Sequence, residues 1–92
     1  MRHYTFVIVP PFSLMSFACA IDGLRGANLV LGHRFYSWEA VSADGGSLMS
    51  SSDIELPTIK LSDALEPDVI VICGGNSSHT YRNAALTNWL HA

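Results

Sequence analysis

Tyr4-Thr5-Phe6-Val7-Ile8-Val9-Pro10-Pro11 decides the fold. Six consecutive residues are β-branched or aromatic and none is charged. That is the composition of a strand covered on both faces, as in a parallel sheet. Proline has no N–H for a ladder, so Pro10-Pro11 ends the strand. Ser13 then N-caps a helix predicted over residues 14–31. Leu14, Phe17, Ile21, Leu24 and Leu31 recur on one face at helical spacing, and Gly32 supplies the C-cap. The first twenty residues imitate a secretory leader ending Ala18-Cys19-Ala20. The two prolines divide that run, and its pattern changes from strand to helix across them, so it reads as two elements of a fold. No unbroken apolar run reaches the roughly 18 residues of a membrane span, and no membrane helix is expected.

Outward from this unit the pattern alternates between strand and helix. Residues 35–42 read as a second strand, with Tyr36, Trp38 and Ala40 on one face and Phe35 and Val41 on the other. Asp44-Gly45-Gly46 marks a turn. Leu48-Met49 and Ile54-Glu55-Leu56 read as a small hairpin across Ser50-Ser51-Ser52-Asp53, and residues 61–65 as a short helix broken by Glu66-Pro67-Asp68. Asp68-Val69-Ile70-Val71-Ile72-Cys73 is a second strand expected to be buried on both faces, stopped by Gly74-Gly75. Asn76-Ser77-Ser78 offers caps for a closing helix whose apolar stripe begins at Leu86, Trp89 and Leu90. The order β-α-β-hairpin-α-β-α is α/β: the front half of a flavodoxin-like doubly wound sheet, in three α/β/α layers. Its strand order should begin 2-1-3. No later strand flanks the Asp68–Cys73 segment, so the chain reads as part of a larger domain.

Composition limits function. With 92 residues the chain holds one domain at most. Hydrophobic residues are 49% of it and charged residues 14%, against about 25% in ordinary domains. Disorder is excluded, and so thin a charge coat implies that some surface is covered. Net charge is −3 and the five basic residues are scattered, so the chain lacks the phosphate-neutralising stripe of a nucleic-acid binder. The two cysteines, Cys19 and Cys73, have no ligand or disulfide-framework spacing and suit a reducing cytoplasm.

Ligands of open α/β sheets bind beyond the carboxyl ends of the strands. Two loops leave such ends here: Pro11-Phe12-Ser13, with Ser16 one turn into the helix, and Gly74-Gly75-Asn76-Ser77. Both lead into helix N-termini, where free N–H groups favour an anion such as a carboxylate. These eight residues are the candidate ligand site. No catalytic residue, metal ligand or cofactor is expected: G-x-G-x-x-G and the P-loop are absent, and the histidines lack metal spacing. His79, near the glycines, is a lesser candidate. Cys73 reads as a small hydrophobe at a strand end, and Cys19 as core packing. Asp22 and Arg25 can pair on the helix surface. Gly23 and Gly26, within a stripe of small residues, permit close approach of another backbone, either the sheet or a helix of a second subunit.

Phe6-Val7-Ile8-Val9-Pro10, Phe12-Ser13, Ala20-Ile21-Asp22-Gly23-Leu24-Arg25-Gly26-Ala27-Asn28, Tyr36-Ser37-Trp38, Ser42-Ala43-Asp44-Gly45-Gly46 and Cys73-Gly74-Gly75-Asn76 together resemble one family. It is the N-terminal ThiJ/PfpI-like domain of GlxA-type AraC-family transcriptional regulators, itself within the class I glutamine-amidotransferase-like superfamily. The resemblance covers essentially the whole chain, but only the front half of that domain, before its nucleophile elbow. It implies a cytoplasmic bacterial regulator whose N-terminal domain senses a small-molecule effector and forms a homodimer. DNA would be left to a C-terminal helix-turn-helix domain outside this chain. Enzymes of the superfamily use a Cys beyond a later strand and an acid early in the first helix. Cys73 does not match that Cys, and Ser16 stands where the acid would be. No acid precedes Asp22 in the helix. The resemblance therefore implies a non-catalytic binding domain. The alternatives are a fragment of a ThiJ/PfpI-like hydrolase or amidotransferase-like enzyme, and a stand-alone interaction module.

Overall fold

The computed structural model describes residues 1–75 and 84–91. The elements run β1 (Arg2–Ile8), α1 (Leu14–Leu31), β2 (Tyr36–Ser42), β3 (Gly46–Met49), β4 (Glu55–Lys60), a 3-10 turn (Leu61–Asp63), β5 (Val69–Cys73) and α2 (Ala84–His91). They build a five-stranded sheet in the order β3-β4-β2-β1-β5. The apolar β1 has parallel neighbours on both sides: Phe6 stands opposite Ala40 of β2 and Val71 of β5. The expected 2-1-3 order is thus the β2-β1-β5 run at one end of the sheet.

Alternation along β1 sends its side chains into two cores. Phe6 and Ile8 join Phe12 and Cys73, under Leu14, Phe17, Ile21 and Leu24 of α1. Val7 and Val9 join Val41, Ala43 and Leu61, with Leu86 and Trp89 contributed by α2. One helix on each face makes three layers. Phe6, Val7, Ile8, Phe12 and Val41 are all but inaccessible, and burial of such side chains stabilises by about 1.5–3 kcal/mol each.

α1 spans the predicted residues because its ends are chemically fixed. Ser13 is extended and its Oγ accepts from the Ser16 N–H at 3.4 Å. Gly32 takes the left-handed conformation at φ 79° and returns its N–H to the Asn28 carbonyl. Asn28 then ties the helix to the next strand. Its Oδ1 accepts from the N–H groups of Phe35 (3.0 Å) and Tyr36 (2.9 Å), and its Nδ2 donates to the Tyr36 carbonyl (3.0 Å). β2 starts at Tyr36, one residue later than predicted. By length and average composition α1 could cross a bilayer, but Leu14, Phe17, Ile21 and Leu24 pack on the sheet.

Five expectations need correction. The small hairpin is longer than predicted, and β4 joins β2 in parallel through Val41 opposite Ile59 and Ser42 opposite Lys60, so the hairpin extends the sheet. The helix expected at residues 61–65 is only a 3-10 turn. Pro67 disfavours helical backbone just before it, and the Leu65 N–H is taken by Glu39 Oε2 at 2.8 Å. β5 is not covered on both faces: Ile70 and Ile72 are 41% and 55% exposed. Cys19 lies on the exposed face of α1, outside the core. Gly23 and Gly26 do not face the sheet, since a Cβ built on either would meet nothing within 4 Å. No α1 residue is fully buried, and Met15, Leu29 and Val30 are openly exposed.

Candidate functional site

Two loops leave the carboxyl ends of β1 and β5 side by side. The first, residues 10–13, leaves β1 through a cis Pro10–Pro11 bond and enters α1. The second begins with Gly74 and Gly75 after β5. Their backbones interlock. The Val9 N–H donates to the Cys73 carbonyl (2.9 Å) and the Ser13 N–H to the Gly74 carbonyl (3.0 Å). Gly75 lies so close to the first loop that a Cβ on it would fall 2.5 Å from the Pro11 carbonyl oxygen. Only glycine allows that approach.

The predicted site residues divide into three groups. Pro11, Ser13, Gly74 and Gly75 meet at this junction. Ser16 stands beside it, exposed, with its Oγ donating to Ser13 Oγ at 3.2 Å. Phe12 is in the junction through its backbone alone: its side chain is 0% exposed, turned into the core with Phe6, Ile8 and Cys73. It could therefore offer a ligand its main chain but not its ring. Asn76 and Ser77, like His79, lie outside the described residues. The first turn of α1 holds no acidic residue, so the cap is formed by hydroxyls and N–H groups. Burial pushes the Cys73 thiol above its ordinary range, which leaves it neutral and a poor nucleophile near pH 7.

The hairpin was not anticipated as part of this region. Phe12 and Ser50 form an isolated parallel bridge, and the Ser51 N–H donates to the Phe12 carbonyl at 2.9 Å. Ser50 is buried, and its Oγ accepts from the N–H groups of Ser52 (3.2 Å) and Ile54 (3.1 Å). In the sequence Ser50 is one of three serines in a turn, and nothing local distinguishes it.

A second polar group lies at the opposite ends of the strands. His3 Nδ1 is 2.8 Å from Ser37 Oγ, and Nε2 is 3.0 Å from Glu39 Oε2. Asp68 exchanges two hydrogen bonds with the His3 backbone, at 2.7 and 2.9 Å. Since Glu39 also holds the Leu65 N–H, this network ties β1, β2 and the lead-in to β5 together. A hydroxyl, an imidazole and a carboxylate in line suggest nucleophilic chemistry. They are, however, cross-strand neighbours in the sheet, remote from the strand-end loops. A cavity of about 270 Å³, lined by residues 64–67, Ile70, Trp89 and Leu90, is also away from those loops. Among the described residues no three His, Cys, Asp or Glu side chains gather to hold a metal.

The chain is similar to the HTH-type transcriptional regulator CdhR of Pseudomonas aeruginosa, at 32% identity over 97% of this chain and 26% of that protein. It is 34% identical to the HTH-type transcriptional regulator GlxA of Rhizobium meliloti, over 90% of this chain and 26% of that one. A solved AraC family transcriptional regulator from Pseudomonas putida superposes with a TM-score of 0.86 at 29% identity, over 99% of this chain and 57% of that one. The chain is a homologue of the GlxA-type AraC-family regulators. Its fold is that family's ThiJ/PfpI-like one: a DJ-1 superfamily protein from Agrobacterium tumefaciens superposes at a TM-score of 0.61 with 17% identity, over 98% of this chain and 46% of that one. No family model matches the chain. The chain spans about a quarter of the length of these GlxA-type relatives.

Proposed function

We propose that this chain is a small-molecule-sensing and dimerising region of a bacterial AraC-type transcriptional regulator, acting in the cytoplasm and without catalysis of its own. The observation that carries the reading is the junction of the two strand-end loops, set on the fold of a regulator family. Backbone hydrogen bonds and the Gly75 approach hold Pro11, Ser13 and Gly74 together at the N-terminus of α1, beside the Ser16 hydroxyl. Hydroxyls and helix N–H groups of this kind suit a carboxylate-bearing metabolite, and the sequence offers Asn76 and Ser77 as further candidates. The superfamily's early acid is replaced by Ser16, and Cys73 is held neutral by burial, which supports binding over hydrolysis. The exposed outer face of α1, with Met15, Gly23, Gly26 and Val30, is the surface offered to a second subunit. DNA contact belongs to the helix-turn-helix part of the whole regulator, since five dispersed basic residues here make no phosphate-binding stripe.

A thermal-shift series with small carboxylates (amino acids, hydroxy acids and dicarboxylates) tests the sensing role. At least one should raise the midpoint, and Ser16→Trp, which fills the mouth of the junction, should abolish that rise. Stabilisation untouched by Ser16→Trp would place the ligand elsewhere. Esterase, amidase or glyoxalase turnover lost on Cys73→Ala would overturn the non-catalytic reading.

A further inference from the structure

We propose that the backbone at Phe12 couples the candidate effector site to the β3–β4 hairpin, making the hairpin an arm whose tip follows the two loops. This rests on the sensing role above and adds a route out of that site.

Leu48 and Leu56 of the arm pack against the core that holds Phe12, and Thr58 Oγ1 lies 2.6 Å from Ser42 Oγ. The arm's backbone is held at two places. At its root, β4 pairs with β2 only through Ile59 and Lys60, its last two residues. The rest of β4 is paired to β3, from Glu55 opposite Met49 to Thr58 opposite Gly46. At its tip, the backbone ties to the rest of the fold are the Phe12–Ser50 bridge and the Ser51 N–H donated to the Phe12 carbonyl. The turn between these ties is stiff. Ser50 Oγ receives two N–H groups, and the Ser50 N–H closes on the Ile54 carbonyl at 2.9 Å. The tip therefore moves as one piece.

Phe12 is gripped from the other side as well. The preceding residue, Pro11, presents its carbonyl to Gly75, and the following residue, Ser13, donates its N–H to the Gly74 carbonyl. The Phe12 ring is locked in the core between them. Three consecutive residues thus contact Gly75, the hairpin tip and Gly74 in turn. A displacement of the glycine loop must move the Phe12 carbonyl or break one of these contacts, and moving that carbonyl moves Ser51. Such a contiguous chain of backbone contacts is what coupling between sites requires. Met49 and Ile54 flank the tip and are exposed, so its position sets how an apolar edge is presented.

Amide hydrogen exchange on the 92-residue chain tests the coupling, with rates read against amides of the β1–β2 ladder so that global stability cancels. Gly75→Ala should speed exchange of the Ser51 N–H by on the order of tenfold relative to the ladder, as expected for a local opening. In the other direction, Ser50→Ala should speed exchange at Ser13, and Ser50→Thr, which keeps the hydroxyl, should restore it. If Gly75→Ala does not fold, the Ser50 pair read at Ser13 decides alone. An unchanged Ser51 rate in folded Gly75→Ala, or an unchanged Ser13 rate in Ser50→Ala, would overturn the coupling. No effector enters the measurement. A junction that binds no carboxylate would sink the sensing role and leave the coupling standing, whereas independent loops would sink the coupling alone.

Discussion

Gly75→Ala tests the contact on which the candidate site is built. A Cβ at this position would stand 2.5 Å from the Pro11 carbonyl oxygen, 3.4 Å from its carbon and 3.6 Å from the Phe12 carbonyl carbon. Folded proteins essentially never bring a Cβ within 3.0 Å of such an atom, so the loops must part by at least half an ångström. All three neighbours are backbone, and they have little freedom to yield. Pro11 is followed by a fully buried Phe12, and the Ser13 N–H is bonded to the Gly74 carbonyl at 3.0 Å. Overpacking of a fixed environment costs about 1–3 kcal/mol. In a domain of this size each kcal/mol moves the thermal midpoint by roughly 4–8 °C. The variant should melt some 4–24 °C below wild type, on the same scale, when followed by far-ultraviolet circular dichroism. A midpoint within about a degree of wild type would refute the close approach, and with it the interlocked site.

Gly23→Ala should do the opposite. Its Cβ meets nothing within 4 Å, so the helix gains about 0.5–1 kcal/mol; a lower midpoint would show that Gly23 is packed within the chain. Alkylation at pH 8 followed by peptide mapping should label exposed Cys19 and spare buried Cys73 until denaturant is added. Because burial raises the Cys73 pKa, its ionisation favours the unfolded chain. The associated stability is whole below the ordinary thiol range and declines as pH rises through and above it; a Cys73→Ser variant should lose that alkaline decline, and a decline that persists would refute the assignment. Sedimentation of the 92-residue chain should show association that grows with concentration, through the outer edge of β5 and exposed Ile70 and Ile72. A monodisperse 10.0 kDa monomer at high concentration, melting cooperatively, would contradict this.

What was legible in the sequence followed from local rules. β1 was readable because Thr5 to Val9 is β-branched or aromatic without interruption, and α1 because Ser13 and Gly32 are strong caps around a helical stripe. The misreadings came from contacts remote in sequence. The helix expected after β4 shrinks because Glu39, 26 residues earlier, takes the Leu65 N–H. The hairpin joins the sheet through Ile59 and Lys60, whose pairing with β2 no turn signal announces. Cys19 reads as core packing, and Gly23 as a close approach to the sheet or to a second subunit, because both sit on an apolar helix, yet that helix buries only one face. At the junction, Gly74-Gly75 is the strand stop that the sequence announces. The reason for a glycine at 75, the Pro11 carbonyl beside it, could not be seen in one dimension, and neither could the role of Ser50.

The geometry of the junction also bears on the proposed non-catalytic binding role. Among the described residues main-chain contacts hold the two loops, Val9 to Cys73, Ser13 to Gly74 and Pro11 against Gly75, and Ser51 of the hairpin is bonded to Phe12. The Phe12 side chain is turned into the core and out of the junction. Ser16, where the superfamily's acid is expected, touches Ser13 alone within it. Exchanging an acid for a hydroxyl at that position removes a proton donor without loosening any contact that shapes the site. The scaffold and the chemistry are therefore separable here. Under the proposed non-catalytic role, the strand-end backbone is kept and the acid is not.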